Sequence, residues 1–342
     1  LRPTLENRLS QIIGVPVRIG AITAQSHTLV PSFELQDVRL LDSAGRDALV
    51  LKKVTAALSP RSLSSLGFEQ LVIDQPELDI RRTAQGRILV AGLDMSPTKD
   101  DQNNQGAAHW FFQQREFVIR SGTVRWTDEM RGAPPLALSQ VDFVLRNPGR
   151  QHLFRLDATP APAWGERFKI VGNTRSPLTG SQAGKWQDWE GELFADFSRI
   201  DVSQLKPYAD VGIDISRGAG AVRAWATLSQ GQITAATADV ALTQVDVRLA
   251  KDLQPIAIQS VSGRLAGQTV AGGMRFATEG LAFRTQDGIQ WPGGNVSFLQ
   301  TGLEGKVQAF GELKADRLDL AALAQIADRL PLGTATHSLI RS

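Results

Sequence analysis

The sequence predicts a mainly β fold: an elongated, curled antiparallel sheet forming an apolar groove, with a short N-terminal helix and a few short helices. Three observations predict it. From Pro16 onward, apolar and polar residues alternate with period two through stretches such as VRIGAITA, EQLVIDQPELDIR and RFKIVGNTR, the signature of strands with one buried face. Helical periodicity is scarce. The alternation also breaks repeatedly in one way. In PSFELQDVRLLD, Phe33 and Leu35 are followed by two polar residues, Gln36 and Asp37, before Val38 and Leu40 resume. The same skipped beat separates Leu136 and Leu138 from Val141 and Phe143. It recurs between Val240, Leu242 and Val245, Val247, and between Ile256, Ile258 and Val261.

The elements follow in chain order. Leu5, Leu9, Ile12 and Ile13 fall on one helical face, with Pro3 and Thr4 suited to the start and Gly14 and Pro16 to the stop. This helix is expected to cap a sheet rather than to lie on a membrane surface. VRIGAITA, SFELQDVRLL, ALVLKKVTAAL, EQLVIDQPELDIR and GRILVAGL read as strands separated by turns such as DSAGRD and TAQGR. SPRSLSSLGF reads as one short helical turn. Residues 1–95 thus comprise the helix and the start of the groove. The polar stretch 96–107 is read as a loop or sub-domain boundary, and residues 108–342 as continuing groove. REFVIRSG, TVRWTDE, LALSQVDFVLRN, HLFRLDATP, RFKIVGNTR and EGELFADFS resume the strands, and a second polar loop covers 179–185. Helical patterns return at Val202 to Tyr208 and Leu320 to Leu330. SRIDVSQL and DRLDLAAL form an internal repeat in which Asp201 and Asp319 are placed as N-caps.

A skipped beat reads as a β-bulge, which bends a strand and raises its twist. Bulges at one height in successive strands would curl a sheet along a line, giving a gutter with the apolar stripe inside. A sandwich whose strands cross between sheets at corners is the rival explanation. Roughly eighteen strands spaced about 4.8 Å apart would make a trough on the order of 85 Å long. At ~0.8 kcal/mol per CH₂, an acyl chain of about sixteen carbons gains on the order of 12 kcal/mol in such a lining.

Composition narrows the function. The chain has 342 residues, 42% of them apolar, and a net charge of +2. The small basic excess is spread out, so nucleic acid is not an expected partner. There is no cysteine, hence no disulfide and no thiolate metal site. No run of 18 apolar residues could span a bilayer as a helix. His27, His109, His152 and His337 have no ligand spacing, so no metal is expected. No G-x-S-x-G elbow is present, and RGAGAVRA lacks the third glycine of a phosphate loop and leads into a strand. No enzyme activity, cofactor or catalytic residue is expected. Trp126 and Trp225 read as core or groove wall, and Trp110, beside Phe111 and Phe112, as a membrane anchor, a groove cap or ordinary packing. Trp186 and Trp189 flank Asp188, as a sugar-stacking pair would.

The order of several motifs carries a family resemblance. LENRLSQIIGVPVRIGAITA, PSFELQDVRLLDSAGRDALVLKKVTAALSPRSL and FEQLVIDQPELDIRRTAQGRILVAGL resemble the N-terminal region of AsmA-like proteins. SGTVRWTDEMRGAPPLALSQVDFVLRNPGRQHLFRLDATP and ADRLDLAALAQIADRLP resemble the YhdP branch. The resemblance implies a repeating β-groove, bridge-like transporter that carries phospholipid between the inner and outer membranes of a Gram-negative envelope. It implies a periplasmic location and an inner-membrane anchor preceding this stretch, so that the chain, which opens at Leu1 already in helical rhythm, is read as a fragment of a longer protein. Its partners would be phospholipid acyl chains, the inner membrane through that anchor, and envelope proteins. Fifteen residues around the skipped beats are the candidate lining: Phe33, Leu35, Val38, Leu40, Leu136, Leu138, Val141, Phe143, Val240, Leu242, Val245, Val247, Ile256, Ile258 and Val261. The alternative, suggested by TamB-like relatives, is an envelope scaffold or assembly factor that pairs with strands of outer-membrane proteins. A carbohydrate-active sandwich would need paired carboxylates in one cleft, and no pair recommends itself.

Overall fold

The computed structural model describes residues 2–25, 31–41, 45–58, 68–94, 110–178, 185–208, 214–251, 253–303, 306–314, 324–325 and 329. The loop expected at 96–107 lies outside the described residues. So do most of SPRSLSSLGF, the cap Asp319 and most of the helix expected from Leu320 to Leu330.

Helix α1 (Arg2–Ile13) is followed by β1 (Val17–Gln25), β2 (Ser32–Leu41), β3 (Asp47–Ala57), β4 (Gln70–Asp74) and β5 (Glu77–Arg82). Next come β6 (Ile88–Val90), β7 (Leu93–Asp94), β8 (Glu116–Asp128), β9 (Ala133–Arg146), β10 (Gln151–Pro160) and β11 (Phe168–Arg175). The remainder is β12 (Glu190–Asp201), β13 (Asp214–Ser229), β14 (Gln232–Arg248), β15 (Ile256–Val270), β16 (Gly273–Thr285), β17 (Gln290–Trp291), β18 (Asn295–Leu303) and β19 (Lys306–Lys314). All belong to one sheet, not to the paired sheets of a sandwich. The described registers are antiparallel except where β8 runs parallel to β4 and β5. GRILVAGL, read as one strand, is a tight hairpin of β6 and β7, because Ala91 and Gly92 both have left-handed backbones (φ 49° and 81°).

The chain divides into two compact units. Unit 1 comprises 1–161, 167–193 and 228–232, and unit 2 comprises 162–166, 194–227 and 233–342.

In unit 1 the skipped beats line up across strands. Ile19 pairs with Val38 and Ala21 with Gln36, leaving Gly20 opposite Asp37. Gln36 pairs with Lys53 and Val38 with Leu51, leaving Asp37 opposite Lys52. The line continues to Gln75, between β4 and β5, and on to Ser121 in β8. Bulges at one height in successive strands are the expectation, and the creases do share one line. Here each of these strands carries its own extra residue, so register is kept on both sides of a shared crease. Across β8 and β9 the two extra residues cancel: the register slips between Ile119 and Gly122 and slips back by Val124. A one-sided bulge appears between β9 and β10, at Asp157 and Thr159.

Asp37, Gln75, Ser121 and Gln140 have φ of 51°, 52°, 51° and 48°. A left-handed residue inside a strand resets the pleat, so two successive side chains point outward and the apolar face continues unbroken. That conformation costs an L-residue roughly 1–2 kcal/mol. Side chains satisfy the polar backbone groups freed at the crease. Asp142 Oδ1 accepts from the Ser121 N–H at 2.9 Å, and Arg167 donates to the Gln140 carbonyl at 2.7 Å and to Asp142 Oδ2 at 2.8 Å. Glycines fit where strands crowd: a Cβ on Gly20 would lie 2.9 Å from the Asp37 Cβ, and one on Gly122 would lie 2.9 Å from Ile119 Cγ2.

Helix α1 lies against β1, which pairs with β2 alone among the described strands. Glu6 accepts from the Ile19 N–H at 2.7 Å, and Ser10 Oγ from the Val17 N–H at 2.8 Å, so the helix supplies acceptors to an edge strand. The Ile19 hydrogen bond holds the Glu6 carboxyl below its usual range. Leu9 is buried, and Leu5 and Ile13 pack on the core. The apolar face of α1 is therefore occupied by the sheet.

Unit 2 repeats the crease. Thr243 pairs with Ser260 and Val245 with Ile258, leaving Gln244 (φ 53°) opposite Gln259. The expected helix after Asp201 is a short 3-10 turn, Val202–Leu205, with Asp201 accepting from the Ser203 N–H at 3.0 Å.

Candidate functional site

The creased strands present an apolar face in each unit, and the two faces are covered differently. In unit 1, Leu35, Val38 and Leu40 are buried in one cluster with Val17, Ile19 and Leu51, and Phe33 packs against it. Residues before and after the crease thus share one core. Helix α1 covers part of this face. A helical turn at 110–113 brings Trp110, Phe111 and Phe112 onto the same cluster. Trp110 sits edge-on to Phe68 at 6.2 Å, Phe111 to Phe117 at 4.6 Å, and Phe112 to Trp189 at 4.8 Å. Phe143 packs against the cluster, and Val141, opposite Gly122, is buried. Leu136 and Leu138 are half-buried opposite Trp126 and Val124.

Polar groups hold this aromatic turn down. Gln114 is fully buried; it accepts from the Phe68 N–H at 2.7 Å and donates to the Trp110 carbonyl at 2.5 Å. Asn147 donates to the Gln114 carbonyl at 2.7 Å and turns its oxygen to His152 Nδ1, also at 2.7 Å. The His152 ring stacks on Trp189 with centroids 3.7 Å apart and its Nε2 meets Ser176 Oγ at 3.2 Å. Burial pushes the His152 pKa down to about 4, so the ring is neutral at pH 7. Trp189 is buried in this stack, which removes it as a sugar platform; the Trp186 side chain lies outside the described residues.

In unit 2, Leu242, Val245, Val247, Ile256 and Ile258 are buried together with Ile200 and Val202, and Val240 and Val261 pack against them. The predicted residues of this unit therefore share one face and one cluster. Beyond Val240 the face continues past what the sequence reading identified. Ala238 pairs with Leu265 and Ala236 with Gly267 in β14 and β15. Gly267 then pairs with Phe276 and Thr269 with Met274, and Phe276 pairs with Phe298. Phe276, Met274 and Phe298 are 45%, 62% and 40% exposed. The alternation Met274, Phe276, Thr278 in GMRFATEG is the signal that could have found them.

No charged residue stands on this face among the described residues of β13 to β16; the charges are on the opposite face. There Arg264 meets Asp239 at 2.6 Å, Arg217 meets Asp246 at 3.0 Å, and Arg223 meets Asp196 at 3.6 Å. The Arg264 guanidinium holds the Asp239 carboxyl below its usual range. Trp225, read as core or groove wall, stands on this charged face. It is 38% exposed, beside Phe194 and under Arg264, because it alternates in phase with Arg223 rather than with Val222. Among the described residues, this face of unit 2 is an uncharged apolar surface.

The family model described as YhdP protein matches residues 1–341. No curated protein and no solved structure matches the chain.

Proposed function

The chain belongs to the YhdP family, and from that premise we propose that it binds phospholipid by its acyl chains and conducts it between the inner and outer membranes. On this reading it is the periplasmic part of an inner-membrane-anchored protein. It has no catalytic role, and envelope proteins are among its partners. One observation carries the reading: the uncharged face of unit 2 leads from the buried Leu242 through half-buried Val261 and Leu265 to Met274, Phe276 and Phe298, which are exposed to solvent. An acyl chain laid on it exchanges water for apolar contact at ~0.8 kcal/mol per CH₂. An unbroken lining lets the chain slide without returning that gain. The residues assigned to the lining are Val240, Leu242 and Val261, extended by Leu265, Phe276 and Phe298.

Native mass spectrometry of the purified protein, with organic extraction of its cargo, tests this. Bound phospholipid that is lost in Phe276→Arg/Phe298→Arg supports the reading. A folded protein that carries no lipid, or that traps unfolded outer-membrane polypeptide instead, removes it in favour of a scaffold or assembly factor.

A further inference from the structure

This inference rests on the lipid reading and concerns which apolar face takes lipid. We propose that the aromatic turn at 110–113 excludes lipid from the face of unit 1 that it covers. Acyl chains occupy the exposed part of the unit 2 face at Met274, Phe276 and Phe298 and are kept off the face of unit 1 packed by Trp110, Phe111 and Phe112.

An exchange balance sets this preference. Lipid reaching the unit 1 face would have to displace the three aromatic side chains, which already bury the apolar surface it would cover. Apolar contact is replaced by apolar contact, so the hydrophobic gain largely cancels. The polar cost does not cancel. Lifting the turn separates Gln114 from the Phe68 N–H and from Asn147, and uncovers the His152–Trp189 stack. An acyl chain has no donor or acceptor to replace those bonds, and buried groups left unpaired carry their full desolvation penalty. The open face of unit 2 demands no such displacement. The turn is thus a positioning element: it decides which apolar face takes lipid.

The test is photo-crosslinking in the full-length protein, with benzoylphenylalanine placed singly at Phe143, Phe276 or Phe298, and radiolabelled phosphatidylethanolamine in vesicles as the probe. Labelling at positions 276 and 298 is expected to exceed that at 143 at least tenfold. In Phe111→Ala/Phe112→Ala, labelling at 143 should rise to match. If that variant does not fold, Phe112→Leu keeps most of the volume and removes the ring contacts, and labelling at 143 should again rise. Equal labelling at 143 and 276 in the unaltered protein overturns the exclusion while leaving the lipid reading intact. A folded turn variant with no labelling at 143 also overturns it. Absence of label at all three positions overturns the lipid reading itself.

Discussion

Leu35 in unit 1 is 4% exposed, whereas Phe276 in unit 2 is 45% exposed, although both sit on the apolar face of a strand in a creased sheet. The difference lies in what covers them. Unit 1 lays α1 and the aromatic turn on the cluster that holds Leu35, and among the described residues unit 2 leaves Met274, Phe276 and Phe298 exposed. One strand pattern therefore serves two ends: covered, it supplies folding stability; uncovered, it supplies a surface for something else. The cross-strand Arg–Asp pairs behind the bare face are mostly exposed and add little stability each. They do keep that side of the strands polar and help fix register.

The comparison can be broken most forcefully at Leu35. Leu35→Asp places an unpaired carboxylate inside the unit 1 core and should cost more than about 4 kcal/mol in urea unfolding. A loss under about 1 kcal/mol would mean that this face is not a true core.

A smaller effect separates the units by pH. His152 binds a proton in the unfolded chain near the ordinary histidine value of 6.5 but in the folded unit 1 only near 4. The unfolded state therefore holds more protons between those values. Stability is full above pH 6.5 and falls as pH drops toward 4, by roughly 3 kcal/mol. His152→Gln should abolish this slope, as followed by urea midpoints across that window, and an unchanged slope would show that the ring titrates normally.

Phe276→Arg reads the other side of the comparison. Because the side chain is half in solvent, the unfolding midpoint should move by less than about 1 kcal/mol. Lipid retained through purification should nevertheless fall about tenfold, equivalent to about 1.4 kcal/mol of binding. Undiminished retention would place the lipid elsewhere.

The smallest effect concerns the creases that both units share. Gln244→Gly relieves a left-handed residue and should stabilise by about 0.5–1 kcal/mol in thermal unfolding. A loss of stability would mean that the glutamine side chain contributes more than its backbone costs.

Much of this was legible in the residues. Alternation located most strands, and the skipped beats at Gln36–Asp37 and Thr243–Gln244 marked the creases. The sequence suggested creases at one height but not which residues would face one another, because register depends on the neighbouring strand and not on the pattern within one. Gln75 was hidden inside what read as a single strand, since a left-handed glutamine has no composition signal comparable to glycine. Lining was legible only as a choice of face. Phe33 and Phe276 look alike in sequence, yet one meets protein and the other solvent, because cover comes from distant residues such as Leu9 and Phe111. Trp225 shows the limit of reading by residue type: its large apolar ring suggested the inside, and its phase with Arg223 put it outside.

Helix α1 has a further consequence for how such a sheet acquires its length. An open sheet resembles a linear polymer with two growing ends, each offering free amide and carbonyl groups to the next strand. Glu6 and Ser10 terminate one of those ends by taking up the Ile19 and Val17 amides. In polymer terms α1 acts as a chain terminator: an incoming strand finds those two amides already taken.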